Sequence, residues 1–380
     1  MASRPSRVVF EALVALCACA AVAVARPYSD FRTLGAGFHE TTPTGLDTAS
    51  LSCVRIGVFA PLSSPDGATI VEGVLRAVSV KNASGGYFGK PFEAVVQNTD
   101  GAWGVAAQKV VALAYDETVW GIIGGVDGHQ THLAELIAAK AWVPILSPWA
   151  SDLTVDYANV PWVFRTVPDD LSQASSLVDY ARSRGISTYA VITEGSREGT
   201  IAGNRFIHAI GAVGGSVSIA REWAANDSFV HLAALVHDAA PGAVAIWGND
   251  QASARFSAAL RRIGYHGLLL AGAPCVSHMD ARRVAPFSPF VAAAPFDFSV
   301  LPNAWGNEPK RAVFYSSFET ANLLMSAICQ AGLDRGRIRD AISKTRFNGV
   351  LGHTSFDSLG GTEHAPVLLQ PANDGWKRVD

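Results

Sequence analysis

From Val54 onward, short apolar runs alternate with stretches of helical periodicity, and this alternation constrains the fold more than any other feature of the chain. VRIGVFA at 54–60, EAVVQN at 93–98, WGIIGG at 120–125 and PILS at 144–147 are too uniformly apolar for a half-exposed strand, and they read as buried parallel strands. Between them, Ala106, Val110, Leu113 and Ala114 fall at i, i+4, i+7 and i+8, the stripe of a helix packed on a sheet. After VPWVFRTVPDD at 160–170 the pattern begins again. TYAVIT at 188–193, AVAIW at 243–247 and LLLA at 268–271 are the strand candidates. Leu171, Ala174, Val178 and Ala181, and later Phe256, Leu260 and Ile263, supply the helical stripes. The chain is therefore expected to be α/β, with two doubly wound, Rossmann-like units. Helices are expected near 310–331 and 336–345. The turn-rich tail from Gly349 to Val379 is expected to complete both units.

The start of the chain reads differently. Arg4 and Arg7, an apolar stretch to Val24, and Ala23-Val24-Ala25 before Arg26 have the layout of a secretory signal peptide over 1–25. The stretch is short for a bilayer span, and Glu11 interrupts it. Leu16-Cys17-Ala18-Cys19 also loosely resembles a lipoprotein signal, in which Cys19 would be acylated. Residues 26–53, rich in Thr, Gly, Pro and Ser, read as a flexible leader. A periplasmic or extracytoplasmic location follows.

With 49% hydrophobic residues and a net charge of −3, the chain can bury a large core and lacks the basic surplus of a nucleic-acid binder. Cys53, Cys275 and Cys329, beyond the signal peptide, fit one disulfide with a free thiol, or three separate thiols, and show no metal spacing.

Parallel sheets bind ligands beyond the carboxyl ends of their strands, so the loops at 61–67, 98–103, 126–132, 148–151, 193–199, 248–251 and 272–275 are the places to look. Gly128 and His129 lead into a helical run whose free N–H groups attract electron-rich groups. Trp149 offers a stacking surface, and Glu198 and Asp250 offer charge to a cation. There is no nucleophile elbow, phosphate loop or zinc motif, so no catalytic residue, metal or cofactor is expected, and an enzyme working through facing carboxylates is the lesser alternative.

The opening VRIGVFAPLS, GYFGKPFEAVVQNTDG at 86–101, GIIGG followed by VPILSPWAS, VFRTVPDD at 163–170 and FNGVLGHTSFDSLGG at 347–361 together resemble the type I periplasmic binding proteins. The likeness is to the leucine/isoleucine/valine-binding group serving ABC importers of amino acids and amides. It implies two lobes joined by three crossing strands, near 165–168, 290–295 and 350–356. Lobe 1 would combine 54–165 with 296–349, and lobe 2 would combine 169–289 with 350–380. It also implies hinge closure around a small amino-acid-like or carboxylate-bearing ligand, aromatic or aliphatic, with an ABC permease as partner and a sensor receptor as the alternative. The ligand carboxylate would sit at Gly128 and His129 and at Ala150 and Ser151. Glu198 and Asp250 stand where the family often has aromatics, and Pro274 stands near its amine-gripping acid. These departures put a plain aliphatic amino acid in doubt.

Overall fold

The computed structural model describes residues 47–224, 227–278, 280–298 and 312–379. The signal-peptide stretch, Cys19 and most of the expected leader lie outside these residues. At the leader's end, Lys90 Nζ donates to the Ala49 carbonyl at 2.8 Å and ties the approach to β1 against the domain.

Five parallel strands form the first sheet in the order β2-β1-β3-β4-β5. They span Val54–Ala60 (β1), Phe92–Asn98 (β2), Ile122–Gly124 (β3), Ile145–Ser147 (β4) and Val163–Arg165 (β5). Helices α1 (Pro65–Ala83), α2 (Trp103–Tyr115), α3 (Gly128–Ala141) and the short α4 (Thr154–Tyr157) connect them. The start of α1 follows from local chemistry: Ser64 caps the Gly67 N–H, Pro65 fits the first turn, and Asp66 faces the positive end of the dipole.

The second sheet runs β14-β13-β10-β9-β8-β6-β7. Its strands are β6 (Thr188–Glu194), β7 (Ser216–Trp223), β8 (Ala243–Trp247), β9 (Leu268–Ala271), β10 (Phe290–Ala294), β13 (Val367–Ala372) and β14 (Gly375–Arg378). The last two are antiparallel, and the other five run parallel. Helices α5 (Asp170–Ser183), α6 (Arg197–Ala212), α7 (Phe229–Asp238), α8 (Asp250–Arg262) and α9 (Ala281–Val284) pack around it.

The chain then returns to the first sheet through α10 (Ala312–Ala331), α11 (Arg335–Ser343) and the hairpin β11 (Phe347–Gly349) with β12 (Gly352–Thr354). On one face of β1, Ile56 and Val58 join Ile70 and Val74 of α1 and Leu324 and Ile328 of α10 in one buried cluster. Phe59 turns to the opposite face with Val110, Leu113 and Leu133. Burial of this kind contributes about 1.5–3 kcal/mol per large aliphatic side chain. Helices α1 and α10 approach so closely that a Cβ at Gly73 would lie 2.5 Å from the Phe314 carbonyl oxygen. Arg335 in α11 fastens the returning segment by donating to the Val119, Ala114 and Ala141 carbonyls. Among the described residues no helix is long and apolar enough to cross a membrane.

Residues 290–294, at the second expected passage, form the buried strand β10, paired with β9 and β13, and the chain leaves the sheet after them. The third passage lies beyond 350–354, because the β11–β12 hairpin packs on α10. Isolated bridges from Arg165 to Gly361 and from Phe356 to Thr362 carry the chain back toward β13. Cys53, Cys275 and Cys329 are all free thiols.

Candidate functional site

The carboxyl ends of both sheets open on one cleft of about 290 Å³, at the low end of small-molecule sites. The first sheet supplies Ser64 and Asp66 after β1, Val126, Asp127 and Gly128 after β3, and Trp149, Ser151 and Asp152 after β4. The second supplies Glu194, Ser196, Glu198 and Ile201 around the end of β6, Trp247, Gly248 and Asn249 after β8, and Pro274 after β9. Asp170, at the first turn of α5, closes the hinge side.

Two contacts tie the walls together. Arg197, at the start of α6, donates from Nη1 to Asp152 Oδ2 at 2.7 Å and lies 3.4 Å from Thr154 Oγ1. His278, just beyond β9, meets Asp66 at 2.5 Å between Nε2 and Oδ1. Asp152 is buried and shared: His132 Nε2 lies 3.7 Å from it, Thr154 donates its N–H and hydroxyl, and all of these partners hold its carboxyl well below the usual carboxylate range despite burial. Asp152, and Glu135 at 2.7 Å on Nδ1, push His132 up to about 9. Burial raises Asp127, and Glu198 across the cleft adds to the rise. Asp170 is pushed up to about 7, first by burial and then by Asp152, with Arg205 opposing at 3.6 Å.

The hinge beside the cleft is held by a buried ion pair. Arg165 donates from Nε to Asp156 Oδ1 at 3.1 Å and from Nη2 to Oδ2, and its Nη1 reaches the Val167 carbonyl. Gln173 then spans to the second sheet, donating to the Pro168 carbonyl at 2.9 Å and accepting from the Ala273 N–H at 2.8 Å. A larger cavity of about 460 Å³ lies among the chain passages, bordered by Phe296, Glu319, Val350 and His364. The smaller cleft is the candidate site, because loops from both sheets converge on it.

A family model described as periplasmic binding protein matches residues 53–294. The chain belongs to the periplasmic binding protein family. A comparison with curated protein sequences finds no match. Among solved structures, a leucine binding protein from Thermotoga maritima is 22% identical with a TM-score of 0.74, over 86% of this chain and 98% of that one. The Streptococcus pneumoniae branched-chain amino acid binding protein LivJ, in complex with isoleucine, is 19% identical with a TM-score of 0.74, over 86% and 99%. A solute binding protein from R. palustris in complex with 4-hydroxybenzoate is 15% identical with a TM-score of 0.74, over 86% and 96%. At these identities the likeness establishes the two-lobed fold.

Of the residues read from the sequence, this periplasmic binding protein brings Gly128, Trp149, Ser151 and Glu198 to the cleft. His129 is exposed and does not line it. Ala150 is buried beneath the lining, its N–H donated to Ser147 Oγ at 3.2 Å. Asp250 is replaced at the wall by its neighbour Asn249, which caps α8 and bonds Glu194 through Nδ2 at 3.1 Å. The sequence reading missed Asp152, Arg197, Asp170 and Glu194. Of these, Glu194 at the end of β6 and Asp170 in the hinge segment had a positional signal, since both sit where a strand or hinge meets a helix.

Proposed function

We propose that this periplasmic binding protein is an extracytoplasmic receptor that binds a small organic solute reversibly and delivers it to an ABC-type importer. The observation that carries the reading is the cleft itself, walled by the strand ends of two sheets and spanned by Arg197–Asp152 and His278–Asp66. A solute seated against one wall gains its second set of contacts only when the other wall arrives, so binding and closure are linked. The pairs across the mouth need both walls in place, and they favour the closed shape that a permease would read. The solved structures with bound isoleucine and 4-hydroxybenzoate support a solute of that size.

The test is a thermal-shift screen of the exported chain against small amines, amino acids and aromatic acids, followed by small-angle scattering of the best binder. A ligand that binds only the folded state raises Tm, by about 2.7 kcal/mol of added stability at a hundredfold excess over Kd. A hit that also contracts the molecule supports the reading. A folded protein that answers to none of the panel overturns it. Uptake lost with the receptor and restored with it separates delivery from sensing.

A further inference from the structure

The chemistry of the lining departs from that of a carboxylate site. Asp66, Asp127, Asp152, Asp170, Glu194 and Glu198 all border the cleft, and no Lys, Arg or His stands among the lining residues. Nearby cations answer part of this charge: His278 meets Asp66, Arg197 meets Asp152 and Glu198, His132 lies 3.7 Å from Asp152, and Arg205 lies 3.6 Å from Asp170. Glu194 is held by the neutral Asn249 through its N–H and amide, and Asp127 by the Gln130 N–H.

At the N-terminus of α3, where the family resemblance puts a ligand carboxylate, Asp152 Oδ2 packs against Gly128, 2.2 Å from where a Cβ would stand, so a carboxylate of the chain already lies beside that position. Beside it, Asp170 is only 2% exposed. One of its oxygens has a long contact from the Leu153 N–H at 3.4 Å, and the other accepts no hydrogen bond among the described residues. Its nearest cation, Arg205 Nε, stays at 3.6 Å. A buried carboxylate left this way lacks the donors that would balance its desolvation. Trp149, Trp247 and Ile201 supply the large apolar part of the lining, and Ser64, Ser151, Ser196 and Asn249 its neutral polar part.

We propose, resting on the solute-receptor reading, that the cleft takes a cationic organic solute: an amine whose ammonium group sits among Asp170, Glu194 and Glu198 and whose apolar or aromatic body lies against Trp149 and Trp247. The ammonium supplies the charge-assisted donors that these carboxylates lack. It also relieves the repulsion between Asp127 and Glu198, which face each other from opposite walls in the closed form. A free carboxylate meets Asp152 where it would need N–H groups.

Calorimetric titration of the mature chain with tyramine, agmatine and putrescine, with tyrosine and leucine, and with 4-hydroxybenzoate tests the assignment. The amines are expected to bind, tyramine at least as tightly as tyrosine, and 4-hydroxybenzoate is expected not to bind. Asp170 is flanked by Asp152, Asp169 and Arg205 and must be ionised to hold the cation, so amine affinity should rise about tenfold between pH 6 and 8. Asp170→Asn and, separately, Glu194→Gln should each weaken amine binding at least tenfold. The second variant carries the test should the first fail to fold. Binding of 4-hydroxybenzoate, or of tyrosine without tyramine, overturns the cationic assignment and leaves the solute-receptor reading standing. Amine binding unchanged in both variants also overturns the assignment. Folded protein that binds nothing in the panel overturns both.

Discussion

Replacing Arg197 by Gln removes the guanidinium that joins the second wall to Asp152, and the structure sets the size of the effect. The lost contacts are the 2.7 Å bond to Asp152 Oδ2 and the 3.4 Å approach to Thr154 Oγ1. Asp152 is 3% exposed, but the Arg197 side chain is 40% exposed, so the bond is half open to water. A charged hydrogen bond contributes about 1.5–3 kcal/mol when sheltered. An exposed ion pair contributes about 1 kcal/mol or less. With one partner in each condition, about 1 kcal/mol is the reasonable figure, a shift of about fivefold in the closed-to-open ratio. Asp152 is not stranded by the change, since His132 and Thr154 hold it from its own lobe. Nothing within the first lobe is broken; within the second wall the 3.3 Å contact of Arg197 with its neighbour Glu198 is lost too, and the rest of the loss falls on closure. Small-angle scattering of the unliganded variant should show a larger mean radius than the parent, with Tm within about 2 °C, because ~1 kcal/mol corresponds to only a few degrees in a chain of this size. Solute affinity should fall by the same fivefold where closure limits binding. An unchanged radius with unchanged affinity would refute the latch. A Tm lowered by many degrees would instead make Arg197 part of the core scaffold.

Asp156→Ala leaves the Arg165 guanidinium buried without the carboxylate it hydrogen-bonds, with Asp169 still 3.8 Å away; at about 3–5 kcal/mol for such a break, Tm should drop by roughly 10 °C in a scanning calorimeter. Asp170→Asn should act with opposite signs on stability and binding. Its carboxyl, raised to about 7 when folded, holds its proton while the unfolded chain ionises, so the parent loses stability as pH rises from about 4 to 7. At pH 8 the Asn variant should be the more stable, by on the order of 2–4 kcal/mol, while binding amines more weakly; equal denaturation midpoints would contradict this. His132 titrates in a separate window. Its folded value of about 9 lies above the unfolded value, so its contribution is complete below about pH 6.5 and lost as pH climbs through 9. Denaturant melts of His132→Gln should lack that alkaline decline.

The architecture was legible because parallel strands buried on both faces must be written as nearly unbroken apolar runs, and the runs at 54–60, 188–193, 243–247 and 268–271 all became strands. Strand β7 escaped notice because it lies at the sheet edge, where Ser216, Ser218, Arg221 and Glu222 meet water and break the apolar run. Strand β10 was read as a crossing because Pro289 and Pro295 bracket five residues too short and too alanine-rich to distinguish from a connector. Periodicity registers which faces are buried. It says little where a strand is exposed on one side or is bounded by prolines.

The site was legible at the level of loops and illegible at the level of side chains, for a geometric reason. Topology dictates that loops at strand carboxyl ends line the cleft, but which residue of a loop turns inward depends on a rotation of about 100° per residue where the next helix begins. That rotation puts Asn249 at the wall instead of Asp250, and Gly128 instead of His129. Asp152 was harder still, since its partner Arg197 is 45 residues away and joins it only when the two sheets face each other. The apparent loss of the family's amine-gripping acid near Pro274 has the same origin. Taken position by position, the sequence shows a missing carboxylate. Assembled, the cleft carries Asp170, Glu194 and Glu198 within the same walls, and Asp152 packs against Gly128 at the start of α3. On the cationic assignment these carboxylates hold an ammonium group, and binding of amines is what separates a cation-selective cleft from a decayed amino-acid site.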